Sequence, residues 1–349
     1  MISTLLRARR RAARADAQAH RLARPVISIG NISMGGRGKT PLAGLVARLL
    51  VEAGERPAIL SRGYGRAIAD AGVTVVSDGS PSLAARASAK FADLAHSGDE
   101  PLMLARAVPG AAVLVCDERA LAGTLAETAL GCTVHILDDG FQHHHLRRDV
   151  DIVLVAPEDF TDKVMPFGRL REPLDALQYV DAILIDGNDQ VGQLGSGAVN
   201  LTASLPHCLT ATLSAASFNG ALVRRLGAPM PALAQGATVL AVAGIASPSR
   251  FFDMLKDGGW SLAETMPFED HHPFSAADAR RIAEAATRAG AAAIVTTSKD
   301  AIRLEGLGPW PVPLVEMPLE VSVEPADQFR AWLLERIKSA RSSVVAAGL

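Results

Sequence analysis

Cysteine is scarce in this chain of 349 residues: Cys116, Cys132 and Cys208 are the only three, and no two stand at CxxC spacing. Neither a disulfide framework nor a cysteine-based zinc site is indicated, and the usage fits a reducing compartment. Aromatic residues are also few, at 4%. No apolar run approaches the ~18–20 residues that a membrane-crossing helix needs. The N-terminus lacks the apolar stretch of a signal peptide. A formal net charge of -2 gives no whole-chain sign of nucleic-acid binding. What is present is ordinary for a soluble α/β protein: 49% hydrophobic and 21% charged residues. The length suggests about two domains, with roughly 75% of the unfolded surface buried on folding.

The first 24 residues stand apart in composition. Arg7, Arg9, Arg10, Arg11, Arg14, Arg21 and Arg24 face a single acid, Asp16. Such a segment is either a solvated basic helix or a surface that leans on anionic lipid, at roughly 1 kcal/mol per basic residue near the headgroups. The basic run does not extend further into the chain, which weakens a nucleic-acid reading.

Beyond it, short β-branched runs alternate with helix-length segments: "VISIG", "PAILS", "VTVVS", "AAVLVC", "TVHILDD", "DIVLVA" and "DAILID". That alternation predicts βαβ units and a parallel sheet covered by helices on both faces. A less regular stretch follows at 188–236, and then "ATVLAVAG", "AAIVTTS" and "VPLVEM" resume the pattern. The division expected is a basic segment 1–24, a phosphate-loop domain 25–205, a linker 206–235 and a smaller α/β domain 236–349.

The stretch "PVISIGNISMGGRGKTPLAGLVARLL" carries the chemistry. Gly35, Gly36 and Gly38 allow a tight turn whose N–H groups converge on anionic oxygens, with Ser33, Met34 and Arg37 completing the loop. Lys39 can reach the β- and γ-phosphates, and the Thr40 hydroxyl can ligate Mg²⁺. The helix that follows directs its N-terminal dipole at the phosphates. Ser33 stands where the common G-x-x-x-x-G-K-[ST] pattern has its first glycine. In "TVHILDDGFQHHHLRRD", Asp138 and Asp139 end an apolar strand, the arrangement that holds Mg²⁺ opposite such a loop. His143, His144 and His145 are consecutive and cannot all face one metal from a helix or strand.

These motifs, with "LSRGYGR", "GDEPLMLAR", "GRLREP", "AVAGIASPSRF", "DHHPF" and "TTSKDAIRL", resemble the tetraacyldisaccharide 4'-kinase family, the lipid A 4'-kinases of Gram-negative bacteria. They fall in family order over nearly the whole chain beyond residue 24. The resemblance implies two α/β/α domains joined by a short β connection. It implies ATP- and Mg²⁺-dependent transfer of the γ-phosphate to the 4'-hydroxyl of a tetraacylated, 1-phosphorylated glucosamine disaccharide. It places the enzyme at the cytoplasmic face of the inner membrane; without a membrane-crossing run the chain is expected to be peripheral there, and no obligate protein partner is evident in the sequence. Asp99 in "GDEP" matches the family's catalytic aspartate and His271 its histidine partner. Arg62, Arg66, Arg169 and Arg171 become candidates for the substrate phosphate or headgroup, with Glu172 beside them.

Local chemistry alone leaves Asp99 open between a general base and a helix cap. "TTSKD" looks like a base-reading turn without the N-K-x-D spacing, so Lys299 and Asp300 receive no role. A P-loop ATPase or GTPase switch acting on a protein would use the same loop and strand end. An acceptor-dependent product separates kinase from switch.

Overall fold

The computed structural model describes residues 19–35, 38–68, 72–80, 93–186, 208–215, 224–225, 233 and 236–346. Gly36, Arg37, most of the basic segment and most of the expected linker lie outside the described residues. The apolar runs form a nine-stranded sheet in the order β14-β8-β7-β6-β1-β5-β2-β4-β3. Its strands are β1 (Val26–Asn31), β2 (Pro57–Ser61), β3 (Thr74–Asp78), β4 (Ala112–Val115), β5 (Val134–Asp138), β6 (Val150–Val155), β7 (Ala182–Asp186), β8 (Cys208–Ala215) and β14 (Leu319–Glu324). From β4 through β8 the pairing is parallel, and the edge strand β3 runs antiparallel to β4.

β1 is buried along its whole length, as expected of a strand covered on both faces. The helix α1 (Lys39–Glu52) buries Leu42, Ala43, Val46, Ala47 and Leu50 against this sheet. Helices α2 (Asp99–Ala107) and α3 (Arg119–Thr128) flank β4. The chain leaves β1 for β2 on one side and later passes from β5 to β6 on the other, so the order reverses around β1. In such sheets ligands bind at the carboxyl ends of the strands at that reversal.

A second sheet runs β11-β10-β12-β13-β9, built from β9 (Arg224–Arg225), β10 (Thr238–Ala243), β11 (Ser261–Pro267), β12 (Ala293–Thr297) and β13 (Leu314–Met317). Alternate residues of β10 serve its two faces. Val239, Ala241 and Ala243 pack with Phe251, Phe252 and Leu255 of α4 (Pro248–Asp257). Leu240 and Val242 pack with Ile282, Ala285 and Ala286 of α5 (Ala276–Arg288). α5 starts at a capping box in which Ser275 and Asp278 exchange hydrogen bonds. The helix α6 (Ser298–Leu304) follows β12 directly.

The chain separates into a unit of Met1–Leu213 with Val321–Leu349 and a unit of Ser214–Glu320. Both crossings fall inside β strands, β8 and β14, which neighbour one another in the large sheet. This division differs from the one drawn on the sequence, because the C-terminal helix α7 (Ala326–Ala346) belongs with the first unit. Arg330 pairs with Glu52 at 2.9 Å, Arg336 with Asp181 at 2.7 Å and Arg341 with Glu55 at 2.6 Å.

Candidate active site

Residues on β1, β5 and the loops after them converge at the carboxyl edge of the large sheet. β1 and β5 are neighbours, with Ile29 in register with Asp138. The chain leaves β1 through Asn31, and the turn closes at Gly38, which adopts a left-handed φ of 79° before α1 begins. Lys39 then folds its side chain back over the loop. Its Nζ lies 3.1 Å from Asn31 Oδ1 and 3.5 Å from both the Gly35 carbonyl and Asp139 Oδ1. Thr40 Oγ1 donates to Asp138 Oδ2 at 3.2 Å. The loop lysine and the following hydroxyl therefore each address one carboxylate of the paired aspartates.

The aspartate turn is held from several sides. Gly140 N–H donates to the Ile29 carbonyl at 2.8 Å, and Arg148 Nη1 donates to the Phe141 carbonyl at 3.0 Å. Asp139 has a φ of 51°, a left-handed conformation that Asp tolerates better than most residues. Gly30 faces Phe141 so closely that an added Cβ would come within 2.4 Å of the Phe141 Cβ. Gly30→Ala is therefore expected to destabilise the protein by about 1–3 kcal/mol through overpacking and to shift the Asp138–Asp139 turn. Thermal unfolding together with turnover would show both effects, whereas an unchanged melting temperature would mean that the contact relaxes freely.

The two carboxylates differ in electrostatics. Burial pushes the Asp138 carboxyl well above its usual range, and the charges of Glu100 and Asp139 add to the push. Burial acts in the same direction on Asp139, but Lys39 and Arg171 outweigh it and hold its carboxyl below the usual range. Arg171 Nη1 is 3.3 Å from Asp139 Oδ2. A hydroxyl and two carboxylates are the hard oxygen donors that suit Mg²⁺, and a cation would relieve the penalty on Asp138. The set fits the expected ion.

The segment "GRLREP" forms a third wall. Ser33 bridges to Leu170, Met34 N–H donates to the Arg169 carbonyl at 2.9 Å, and Arg171 N–H donates to the Ile32 carbonyl at 2.7 Å. Ser33 Oγ also donates to the buried Asp159 at 3.2 Å, so the residue at the first-glycine position is tied into the structure by its hydroxyl. Gln142 Nε2 links the Asn31 carbonyl at 3.0 Å to Glu172 Oε1 at 3.1 Å.

"SRGYGR" and "GDEP" form the fourth. Gly63 and Gly98, both at positive φ, pack so tightly that a Cβ on Gly63 would meet the Ser97 carbonyl at 2.8 Å, and one on Gly98 the Tyr64 carbonyl at 2.9 Å. Asp99 is buried, and its Oδ1 accepts from Glu100 N–H at 2.8 Å.

Of the four candidate substrate arginines, only Arg171 touches the paired aspartates. Arg66 is held by Asp117 at 2.9 Å, Arg169 by Asp162 at 2.9 Å, and Arg62 is exposed. His271 lies in the second unit, on a turn described below.

Some of the site was missed in the sequence. Arg119 is fully buried, donating from Nη1 to His143 Nδ1 at 3.2 Å and from Nη2 to the Asp138 carbonyl at 3.5 Å. Burial and then Arg119 push the His143 imidazole down to about 4. The first histidine of the tract is thus a neutral wall residue. No signal within "DERAL" could announce a buried arginine, and Asn31 was hidden as the last residue of a strand.

A buried parallel strand, a glycine turn, a lysine and hydroxyl opening a helix, and a facing pair of aspartates define a P-loop nucleoside triphosphate protein. Residues 1–338 match the family model described as tetraacyldisaccharide-1-P 4'-kinase, and the chain belongs to that family. The tetraacyldisaccharide 4'-kinase of Geobacter metallireducens is 40% identical over 81% of this chain and 79% of its own length. That of Syntrophus aciditrophicus is 37% identical over 90% of this chain and 84% of its own. A crystal structure of LpxK from Aquifex aeolicus in complex with ATP is similar with a TM-score of 0.73 at 27% identity, covering 96% of this chain and 95% of that one.

Proposed function

We propose that the loop and the aspartate turn divide the work of the family's reaction between them. The chain is an ATP-dependent kinase that transfers the γ-phosphate to the 4'-hydroxyl of tetraacyldisaccharide 1-phosphate in lipid A biosynthesis. In our reading Lys39 and the loop residues Ser33, Met34, Gly35, Gly36, Arg37, Gly38 and Thr40 hold the phosphates. Thr40, Asp138 and Asp139 would hold Mg²⁺, which when bound neutralises charge on the β- and γ-phosphates. Arg171, beside Asp139, would meet a phosphate as well. Asp99 would accept the proton of the sugar hydroxyl, with His271 assisting, and Arg62, Arg66 and Arg169 would contact substrate.

The observation that carries this reading is the contact of Lys39 and Thr40 with the two aspartates across neighbouring strands. Its test is incubation with labelled ATP and tetraacyldisaccharide 1-phosphate. Label on the lipid supports the kinase. Nucleotide hydrolysis at the same rate with and without the lipid would return the chain to the switch reading.

Peripheral association with the cytoplasmic face of the inner membrane belongs to the same proposal. No helix among the described residues is long and apolar enough to cross a membrane. Met34, Tyr64, Ile68, Met165 and Phe167 are exposed, Phe167 to 84%. All sit in loops after β1, β2 or β6, at the edge of the sheet where the site opens. Their apolar surface supports contact with lipid at that edge. The double variant Met165→Ser, Phe167→Ser is expected to lower sedimentation with anionic vesicles by several-fold at all salt concentrations. Deleting residues 2–20 should weaken only the salt-sensitive part. Vesicle binding indifferent to both changes would sink the proposal.

A further inference from the structure

The "TTSKD" segment and the histidine turn of the second unit form one construction. Thr297 caps α6: its Oγ1 accepts from Asp300 N–H at 3.2 Å and donates to Asp300 Oδ2 at 2.8 Å. Asp300 is fully buried and also accepts from Gly244 N–H at 2.8 Å, just after β10. The start of α6 is thereby locked to the sheet. One turn along, Arg303 Nη1 lies 3.4 Å from Asp300 Oδ1, and the guanidinium reaches on to His271, with Nη2 3.0 Å from Nδ1. On the other side of the ring, Lys299 Nζ lies 3.1 Å from His271 Nε2 and 3.1 Å from Asp270 Oδ1. His271 itself has a φ of 59°, in the left-handed region.

Donor chemistry decides how this arrangement works. A guanidinium and an ammonium have N–H donors and nothing to accept with. A neutral imidazole has one acceptor nitrogen, and its other nitrogen carries the hydrogen. The ring therefore cannot accept from both cations. Lys299 has another acceptor in Asp270 and a flexible stem that can turn to it. Arg303 has only 8% of its side chain exposed and is fixed at its other end by Asp300. The arginine bond is the one that persists, and a bond at one ring nitrogen settles which form the other takes.

We propose that Arg303 is a positioning residue which fixes His271 in one orientation and as the Nε2–H tautomer, so that the ring offers a donor to an anionic oxygen during phosphoryl transfer. Lys299 and Asp270 hold the turn that carries the ring. The proposal rests on the reading that His271 takes part in the reaction.

The experiment uses the full-length chain with ¹⁵N-labelled histidine, the His271 signals being assigned by their loss in His271→Ala. The expected spectrum shows Nδ1 unprotonated and Nε2 protonated, and Arg303→Met should turn this into a mixture of tautomers. Turnover of Arg303→Met should fall by roughly 10- to 100-fold, the scale of loss when a reacting group is displaced, with nucleotide affinity unchanged. In a His271→Ala background the same change should cost nothing further, since Arg303 acts through that ring. An Nδ1–H tautomer in the unaltered chain overturns the proposal, and so do losses that multiply in the double variant. Normal turnover in His271→Ala would overturn the catalytic reading of the histidine instead, while the spectrum still decides what Arg303 does. If Arg303→Met fails to fold, the tautomer in the unaltered chain and the kinetics of Arg303→Lys, which keeps a donor, decide the matter.

Discussion

Lys39→Ala is expected to lower turnover by at least ~100-fold, about 2.7 kcal/mol of transition-state stabilisation, in a protein that remains folded. The fold does not depend on the ammonium. α1 is held by Leu42, Ala43, Val46, Ala47 and Leu50, all fully buried, and its N-terminal turn is closed by the left-handed Gly38. What the ammonium does is electrostatic. It stands between Asn31 Oδ1 and Asp139 Oδ1 and helps to keep the Asp139 carboxyl ionised against its burial. Phosphoryl transfer is almost wholly a matter of positioning and charge neutralisation, so loss of this cation removes transition-state stabilisation with little else to replace it. Asp139→Asn should fall by a similar factor, because asparagine also accepts the left-handed backbone but brings no charge. Circular dichroism would confirm the fold and a labelled-ATP assay the rate. Near-normal turnover in a folded Lys39→Ala would remove the lysine from the proposed mechanism.

Most of the strands that the sequence made legible are buried on both faces, the half-exposed edge strand β3 being the exception. "PAILS" became β2 without a change of boundary, and "DAILID", "ATVLAVAG" and "AAIVTTS" moved by a residue or so. Continuous apolar runs of this kind have few other uses in a soluble chain. Four strands escaped, the two-residue β9 among them. β11, "SLAETMP", alternates between exposed and half-buried positions at a sheet edge, so it carries no apolar run. β14 and β8 lie side by side at the end of the larger sheet, and β8 falls in the stretch that looked irregular. The return of the chain to the first unit after residue 320 was also invisible, because ion pairs such as Arg341 with Glu55 join residues far apart in sequence.

The site divides along the same line. Lys39, Thr40, Asp138 and Asp139 could be read locally, since a phosphate loop must have glycines, a cation and a hydroxyl in one short run. Arg119, Asn31 and Arg303 act through contacts that only the fold creates. Asp300 is the clearest case. The segment "TTSKD" resembled a base-reading turn without the N-K-x-D spacing and gave Asp300 no role, and what the carboxylate does is bind the Gly244 and Thr297 groups that anchor α6.

Asp99→Asn is expected to cut turnover by ~10²–10⁴-fold, the usual contribution of a general base, while leaving stability and nucleotide affinity nearly unchanged. The structure sharpens the contrast with a capping role. Gly98 holds the N-cap position, and Asp99 is the first residue of α2, its Oδ1 accepting the neighbouring Glu100 N–H at 2.8 Å. An asparagine oxygen can accept the same bond, and asparagine serves at helix starts about as well as aspartate. A purely structural Asp99 therefore predicts a mild variant. A base predicts a severe one, because the amide oxygen cannot take the proton of a sugar hydroxyl. Nucleotide binding should survive, since Lys39 and Thr40 belong to a different loop. Adding His271→Ala to Asp99→Asn should cost little more if the two serve one step, as residues acting as a unit do. The measurements are turnover for both single variants and the double, with nucleotide affinity and melting temperature alongside. A mild Asp99→Asn would assign the carboxylate to the helix start alone, and fully multiplicative losses would separate it from His271.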